Sequence, residues 1–551
     1  MSSLEAKTTS ESVVPPLTLQ NLHVYHEKAA GRLVLDPKEA SLEFGEDVAN
    51  ALKLSKDGSK ILWPQPFDDP RDPQNWSDGQ KNLQLFIVTL ATITPNFDVG
   101  IGVAGLFNVA KTFSTSPDRI TSVTTGWSVF ILGWSGIFAI MLMHRIGRLP
   151  VLFWSQLLAL AFLAGCTFAP NLRTYAIMRY LTAFFSAVPQ VTGLYVVSDI
   201  FPFHLQARKL GAWVMGFIVS PFLPPFAFGF LVPRAGFRWA FGIGVMYEAL
   251  VVILIAAFGR ETIFDRHDPS MINHLPKHSP YVKLQTLIGI TGFRLAKYRT
   301  PWRELLLSPL RLIWRPHLLS IMIYEGVLFG FSIGMNLTTS LFLGEAPPLG
   351  YGFKQDTIAA IYATPNVSVI LGQIIGRYLM DFIVFRSVRK NNGVYEAEVK
   401  LWMCYISLPL YVTGLVISGA AFQQKLPVVA VVMGWGIREI AVMTTTVACY
   451  SYCSDCFPRY HGEVSGLLNL FRSLGGFAVP YFQTSWARKH GAMQVFGCEA
   501  AIVAGLFLLI VPAVHRYGSL LRFWGIIQRS NGYHRSVIVE NGASVEIVNC
   551  G

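Results

Sequence analysis

The sequence predicts an all-α membrane protein, with twelve transmembrane helices in two six-helix pseudo-symmetric bundles. Three observations carry that expectation. The 551-residue chain is 52% hydrophobic and only 14% charged, with mean hydropathy +0.43, whereas a soluble chain carries about 25% charged residues. Its apolar residues gather in about twelve runs close to the ~20 residues that a spanning helix needs. A basic turn also recurs after the second apolar run of each half. It reads His144-Arg145-Ile146-Gly147-Arg148 in the first half. In the second it reads Gly372-Gln373-Ile374-Ile375-Gly376-Arg377, then Asp381, Arg386, Arg389 and Lys390. Glycine lets helices approach closely and arginine holds charge at a membrane face, so the recurrence points to an internal repeat.

Residues 1–79 are polar and broken by prolines, without the apolar core of a signal peptide. They predict a largely disordered cytosolic segment, with Trp76 as an interfacial anchor. The first six spans fall at 83–109, 122–143, 151–170, 175–199, 210–232 and 239–259, giving a bundle over 80–260. Residues 261–315, rich in Lys, Arg and His, read as a cytosolic central loop. The second six spans fall at 317–343, 357–380, 401–420, 428–452, 464–486 and 495–514, a bundle over 316–515. A polar cytosolic tail occupies 516–551.

Loops on the side of the N-terminus hold more Lys and Arg, mainly through the central stretch and the loop after Asp381. The positive-inside rule therefore places both termini in the cytosol. It also accounts for the net charge of +12 without nucleic acid as a partner. The seven Cys are scattered, so no disulfide framework is indicated. Cys449, Cys453 and Cys456 share a helix face, but no histidine cluster accompanies them and they read as small packing residues, not metal ligands. No Walker-A loop, catalytic triad, metal site or cofactor motif is present in the sequence, which points away from an enzyme.

Ionisable groups inside spans cost about 2.5–3.5 kcal/mol each on insertion scales and need partners or water. Asp98, Arg179, Glu248, Glu325, Arg438, Glu439 and Arg472 are of this kind. At ~1.5 Å per residue, Asp98 and Arg179 reach similar depths, which predicts a carboxylate–guanidinium pair. Glu325 and Glu439 both fall near mid-membrane. Pro95, Gly100 and Gly102 around Asp98 suggest a flexible, cavity-facing segment. Trp127, Trp134, Gln190, Tyr195, Tyr324, Asn336, Tyr362, Asn366 and Trp435 are candidate pocket-lining residues. Aromatic faces among them would suit an amine.

The turn at His144 to Leu149 resembles the helix 2–3 motif of the major facilitator superfamily, keeping Arg145, Gly147 and Arg148. Arg179 in Met178-Arg179-Tyr180-Leu181 resembles that family's helix 4 arginine motif. Gly216-Phe217-Ile218-Val219-Ser220-Pro221 resembles the helix 5 motif of drug antiporters, and its prolines imply a bent helix. Asp72-Pro73-Gln74-Asn75-Trp76, Arg238-Trp239-Ala240-Phe241 and Glu261-Thr262 are similar to the fungal drug:proton antiporter-like branch. Within that branch the chain resembles histidinol and polyamine transporters and secondary-metabolite efflux pumps.

The resemblance implies that spans 1, 4, 7 and 10 line a central cavity, which gathers Asp98, Arg179, Glu325, Arg438 and Glu439. Glu248, on the usually peripheral span 6, and Arg472 are then assigned to packing. The turns with Arg145, Gly147 and Arg148, and with Gly376, Asp381 and Arg386, become gates at the cytosolic face. Proton-coupled efflux of a small organic molecule is the implied activity, with uptake of an organic cation, or nutrient sensing, as alternatives. The expected setting is the plasma membrane, as a monomer, with protons and a small molecule as partners.

Overall fold

The computed structural model describes residues 32–264, 280–347, 350–527, 537–541 and 544–548. Among the described residues, eleven helices are long and apolar enough to cross a membrane. In the first half these are α1 Asp78–Ala104, α2 Pro117–Ile146, α3 Arg148–Thr167, α4 Leu172–Ile200, α5 Phe203–Ala235 and α6 Phe237–Phe258. In the second they are α7 Pro316–Gly344, α8 Gln355–Lys390, α9 Ala397–Gln424, α10 Val428–Cys456 and α12 Ala492–Leu521. Helix α11, His461–His490, is equally long but carries Glu463, Arg472, Arg488 and Lys489, which lower its apolar content.

Local chemistry sets where these helices begin and break. Ser77 caps α1, its hydroxyl accepting from the Gln80 N–H (3.4 Å). Asn171 caps α4 through the Thr174 N–H (2.8 Å). Between α2 and α3, Gly147 has φ 116°, a conformation that a side chain resists, so the chain reverses there in one residue. Helix α4 is in two pieces, Leu172–Ser186 and Pro189–Ile200. Helix α5 is also in two, Phe203–Val219 and Leu223–Ala235. Each break sits beside a proline, whose missing N–H interrupts the ladder.

The halves meet along a long seam. Helix α2 packs on α11, α4 on α11, and α5 on α8 and α10. One apolar cluster runs from Leu85 in α1 to Val514 in α12, so the seam is continuous with the core of both halves. Within the second half, α7 and α11 touch backbone to backbone. A Cβ on Gly330 would lie 2.6 Å from the Gly475 Cα.

Residues 32–77, expected to be largely disordered, are folded. Strand β1 (Arg32–Val34) pairs antiparallel with β2 (Val394–Glu396) in the α8–α9 connection. The Trp63 indole, 1% exposed, donates to the Val34 carbonyl (2.8 Å), and the Phe203 N–H at the start of α5 donates to the Trp63 carbonyl (2.9 Å). The segment is thus a strap tied to both halves, and its side of the molecule is the strap face; the opposite side is the far face. The physical reason is a small apolar core, Leu33, Val34, Phe44, Ile61, Trp63 and Tyr395, that the polar average of the segment conceals. The stretch 261–315, expected as a loop, contains helices Pro280–Ile288, Ile290–Leu295 and Trp302–Ile313.

Trp63→Ala should weaken strap docking by about 3 kcal/mol, the usual loss for emptying a buried indole site. Limited proteolysis of the purified full-length chain should then cut within residues 32–77 much faster, with helical circular dichroism unchanged. Equal cleavage rates would show that the indole does not hold the strap.

Candidate functional site

Buried charge is divided between the halves. In the first, Asp98 (α1), Arg179 (α4) and Glu248 (α6) are all buried. Arg179, expected to pair with the Asp98 carboxylate, donates instead to the Asp98 backbone carbonyl. The reason is Gly102, one turn further along α1. A Cβ there would lie 2.7 Å from the Arg179 Nη2, so the bare backbone makes the slot that the guanidinium enters. The guanidinium also lies 5.6 Å from the Phe241 ring centre. Asp98 Oδ2, Arg179 Nε and Nη2, and both Glu248 carboxylate oxygens have no hydrogen-bond partner. Glu248, assigned to packing from the sequence, lies within electrostatic reach of Asp98.

In the second half the charges are better satisfied. Arg438 and Glu439, neighbours on α10, form a fully buried ion pair. Glu439 also accepts from the Ser332 hydroxyl (3.1 Å) and the Trp435 indole (3.2 Å). Glu325 on α7 accepts from the Thr446 hydroxyl (2.8 Å), while its Oε2 has no partner. Glu499 on α12 accepts from the Gln483 amide (2.9 Å). Arg472 on α11 donates to the Tyr450 hydroxyl (2.9 Å).

The break in α5 is sewn to the second half. Asn336 donates to the Pro221 carbonyl (3.5 Å) and Asn366 to the Phe222 carbonyl (3.2 Å). Ser220 turns its hydroxyl onto the Ile93 carbonyl of α1, and a Cβ on Gly216 would lie 2.9 Å from the Thr89 methyl of α1. Tyr362 and Trp435 meet edge to face nearby, with ring centres 5.0 Å apart, and Phe222 joins them at 6.0 Å from Trp435. Gln190 is buried beside α11, its carbonyl accepting from the Ser465 hydroxyl (3.0 Å).

Other expected lining residues sit elsewhere. Trp127 and Trp134 are each 42% exposed on the outer face of α2, Trp127 resting on Phe130 and Phe477. Tyr324 points from α7 toward Phe507 of α12, away from the seam (6.1 Å between ring centres). Tyr195 lies near the strap face, where its hydroxyl meets His144 Nε2 (2.7 Å) and donates to Glu463 (3.2 Å). In each case helix rotation or height, which run lengths do not fix, sets the position.

That strap-face cluster ties the halves. His144 Nε2 lies 3.3 Å from Glu463, which also accepts from the Ser308 hydroxyl (3.0 Å). Arg148 pairs with Asp199 at the end of α4 and lies 4.1 Å from the Tyr195 ring centre. Glu261 accepts from the Arg148 and Leu149 N–H groups (both 3.1 Å) and so closes the first turn of α3. Arg145 donates to the Arg299 and Thr300 carbonyls (3.0 and 3.1 Å) in the central stretch.

In the second half the expected gate is revised. Asp381 pairs with Arg208 of α5 (2.9 Å), and a Cβ on Gly376 would lie 2.9 Å from the Thr444 methyl, but Arg386 faces outward and is exposed. The true counterpart of Arg148–Asp199 is Lys400–Asp455 (2.6 Å), with Tyr395 donating to the same carboxylate (2.6 Å). Glu463, Lys400, Asp199 and Asp455 escaped the sequence reading. Asp199 and Asp455 were visible as acids ending the fourth span of each half.

On the far face Arg234 pairs with Asp356 (3.3 Å), and Arg488 with Glu345 (3.0 Å) and Asp118 (3.1 Å). Both faces are closed over the buried charges. Two helical halves, a charged interior and ties at either end make up the site. A family model of the Major Facilitator Superfamily matches residues 85–480.

The chain belongs to the Major Facilitator Superfamily.

Relatives agree. The MFS transporter fsa7 of Fusarium sp. is 25% identical over 407 residues, covering 73% of this chain and 77% of that protein. The efflux pump radE of Floropilus chiversii is 22% identical over 500 residues, covering 90% and 88%. Among solved structures, the proton:xylose symporter XylE superposes with TM-score 0.55 at 13% identity, over 79% of this chain and 97% of that one. The human organic anion transporter MFSD10 superposes with TM-score 0.54 at 14% identity, over 78% and 99%. The protein is thus a multi-pass membrane transporter of a small molecule and not an enzyme.

Glu463→Gln removes the carboxylate shared by His144 and Tyr195. Losing charge-assisted hydrogen bonds of this kind should favour opening at the strap face about tenfold. N-ethylmaleimide labelling of the buried Cys453 and Cys456 should accelerate correspondingly. Unchanged labelling would remove Glu463 from the closure.

Proposed function

We propose that this superfamily member exports a small organic molecule in exchange for protons, by rocking its two halves about the buried charges. The carrying observation is the set of buried carboxylates with unpartnered oxygens, Asp98 Oδ2, Glu248 Oε1 and Oε2, and Glu325 Oε2, beside Arg179 and Arg472. Such groups are costly in a dry interior and cheap once a proton or water arrives. That difference gives the proton gradient something to act on as access alternates. Asp98 and Glu325 carry coupling in this reading, and Arg438–Glu439 holds the second half's cavity wall. The name of the relative radE, an efflux pump, supports export. Both termini and the strap then lie in the cytosol, and the plasma membrane is the setting for a monomer.

Reconstituted full-length protein in liposomes with an acidified interior should accumulate rhodamine 6G, and a protonophore should abolish accumulation. Asp98→Asn and Glu325→Gln should each cut uphill accumulation at least about tenfold while sparing downhill exchange. Accumulation that persists after the gradient is collapsed would overturn proton coupling, and unchanged accumulation in both variants would overturn the site assignment.

A further inference from the structure

We infer that the aromatic cage of Phe217, Phe329 and Tyr450 is the seat of a flat organic cation, and that Arg472 is its built-in competitor, drawn out of the cage when Glu325 is ionised. This deepens the antiport reading, on which it rests, by naming where substrate and proton exclude each other.

The guanidinium carbon of Arg472 lies 3.5 Å from the Phe329 ring centre, 4.4 Å from that of Phe217 and 5.7 Å from that of Tyr450. Its Nη1 donates to the Tyr450 hydroxyl, and its buried Nε has no acceptor. Ring faces attract cations, and more strongly where water is excluded. The three rings are mutually inclined, Phe217 at 47° to Tyr450 and 69° to Phe329. They present several faces to one flat delocalised charge. Phe217 belongs to α5 of the first half, the other two rings to α7 and α10 of the second. The cage is complete only when the halves are closed, and its occupant holds them together.

Glu325 supplies the switch. The groups facing it are Thr446, Cys449, Tyr450 and Cys453 on α10, Tyr411 on α9, its neighbour Tyr324, and Arg472 on α11. Arg472 is the cation among them. Among the described residues the two form no ion pair: the guanidinium rests on the rings, and Glu325 Oε2 stands free. An ionised carboxylate in this dry interior attracts the guanidinium strongly, and a protonated one does not. With Glu325 ionised, Arg472 moves to Oε2 and an external cation takes the cage. When a proton binds Glu325, Arg472 returns to the rings and the cation leaves. One side chain thereby makes proton and substrate binding mutually exclusive.

The test measures binding of ethidium, a flat delocalised cation, to the purified full-length protein in nanodiscs between about pH 5.5 and 8. Wild-type binding should weaken as pH falls. Arg472→Gln should bind about tenfold more tightly with little pH dependence, and Phe329→Leu should bind about tenfold more weakly. Glu325→Gln should bind weakly at every pH, and adding Arg472→Gln to it should restore tight binding. A weaker-binding Arg472→Gln, or a double variant as weak as Glu325→Gln alone, overturns the proposal. So does a wild type that takes 1-pyrenesulfonate, a flat anion, in preference to ethidium. Should Arg472→Gln not fold, Arg472→Lys decides. Its compact ammonium competes less well on the rings, so ethidium binding tightens and its pH dependence flattens; an unchanged pH profile overturns the proposal. Failure of proton-driven transport in liposomes with these binding results intact would reject antiport and leave the cage as a cation site.

Discussion

Everything in this molecule follows from placing charge where there is little water to receive it. An ionised side chain at mid-bundle is tolerated only with a partner or with water. The second half meets that demand at one pair, Arg438 on Glu439, with Ser332 and Trp435 completing the shell, and leaves Glu325 Oε2 and Glu499 Oε2 without partners. The first half meets it incompletely. Arg179 is bound by a single backbone carbonyl, and the carboxylates of Asp98 and Glu248 keep unpartnered oxygens. Groups left short of hydrogen bonds gain most when an opening seam admits water. In the antiport reading the first half's trio is therefore a force toward opening, and the second half's pair a force for rigidity.

The two faces resist that force unequally. On the far face the ties are exposed ion pairs, with Arg234 65% and Asp356 50% exposed. Pairs of this kind contribute about 0–1 kcal/mol and weaken further with salt. On the strap face the exposed pair Arg208–Asp381 is backed by a buried tie across the seam, Glu463, which is 3% exposed and takes the hydroxyls of Tyr195 and Ser308 beside His144. The strap then lies over the outside of this closure, paired to the α8–α9 connection and bonded to the start of α5. Opening at the strap face disrupts a buried network and the docking of a folded segment. Opening at the far face separates solvated charges, the Gln355 amide from the Ala104 carbonyl (2.6 Å), and the packing of Gly229 on Ala359.

The parts of this arrangement legible in the sequence are those written in composition and short-range pattern. Span number, the repeat, and the positions of buried charges follow from run length and hydropathy, because lipid leaves few alternatives. Direction around a helix is less legible. Trp127 and Trp435 are both indoles in apolar runs, yet one is 42% exposed and the other buried against Tyr362. Only the partner helix distinguishes them. Arg386 and Lys400 show the same limit for charge: the nearer basic residue faces outward, and the later one closes the pair with Asp455. The strap was concealed because a handful of apolar residues, spread over a polar segment, make a core only once Tyr395 is brought to them.

Helix α5 shows how the ties combine into motion. Along its length nearly every kind of contact crosses the seam. Arg208 meets Asp381 at one end and Arg234 meets Asp356 at the other. Between them Phe217 touches the Arg472 guanidinium, and the carbonyls of Pro221 and Phe222 take the amides of Asn336 and Asn366. The ends are exposed and salt-sensitive; the middle is buried and made of backbone groups that a broken helix leaves needing donors. A rocking movement that releases one end while turning about the middle keeps those carbonyls satisfied throughout. A separation of the halves in parallel would take both amide donors away and leave the carbonyls to water. In the alternating-access reading, the break at Ser220–Pro221 therefore favours turning about this middle stretch, where the Pro221 and Phe222 carbonyls keep the donors that Asn336 and Asn366 supply.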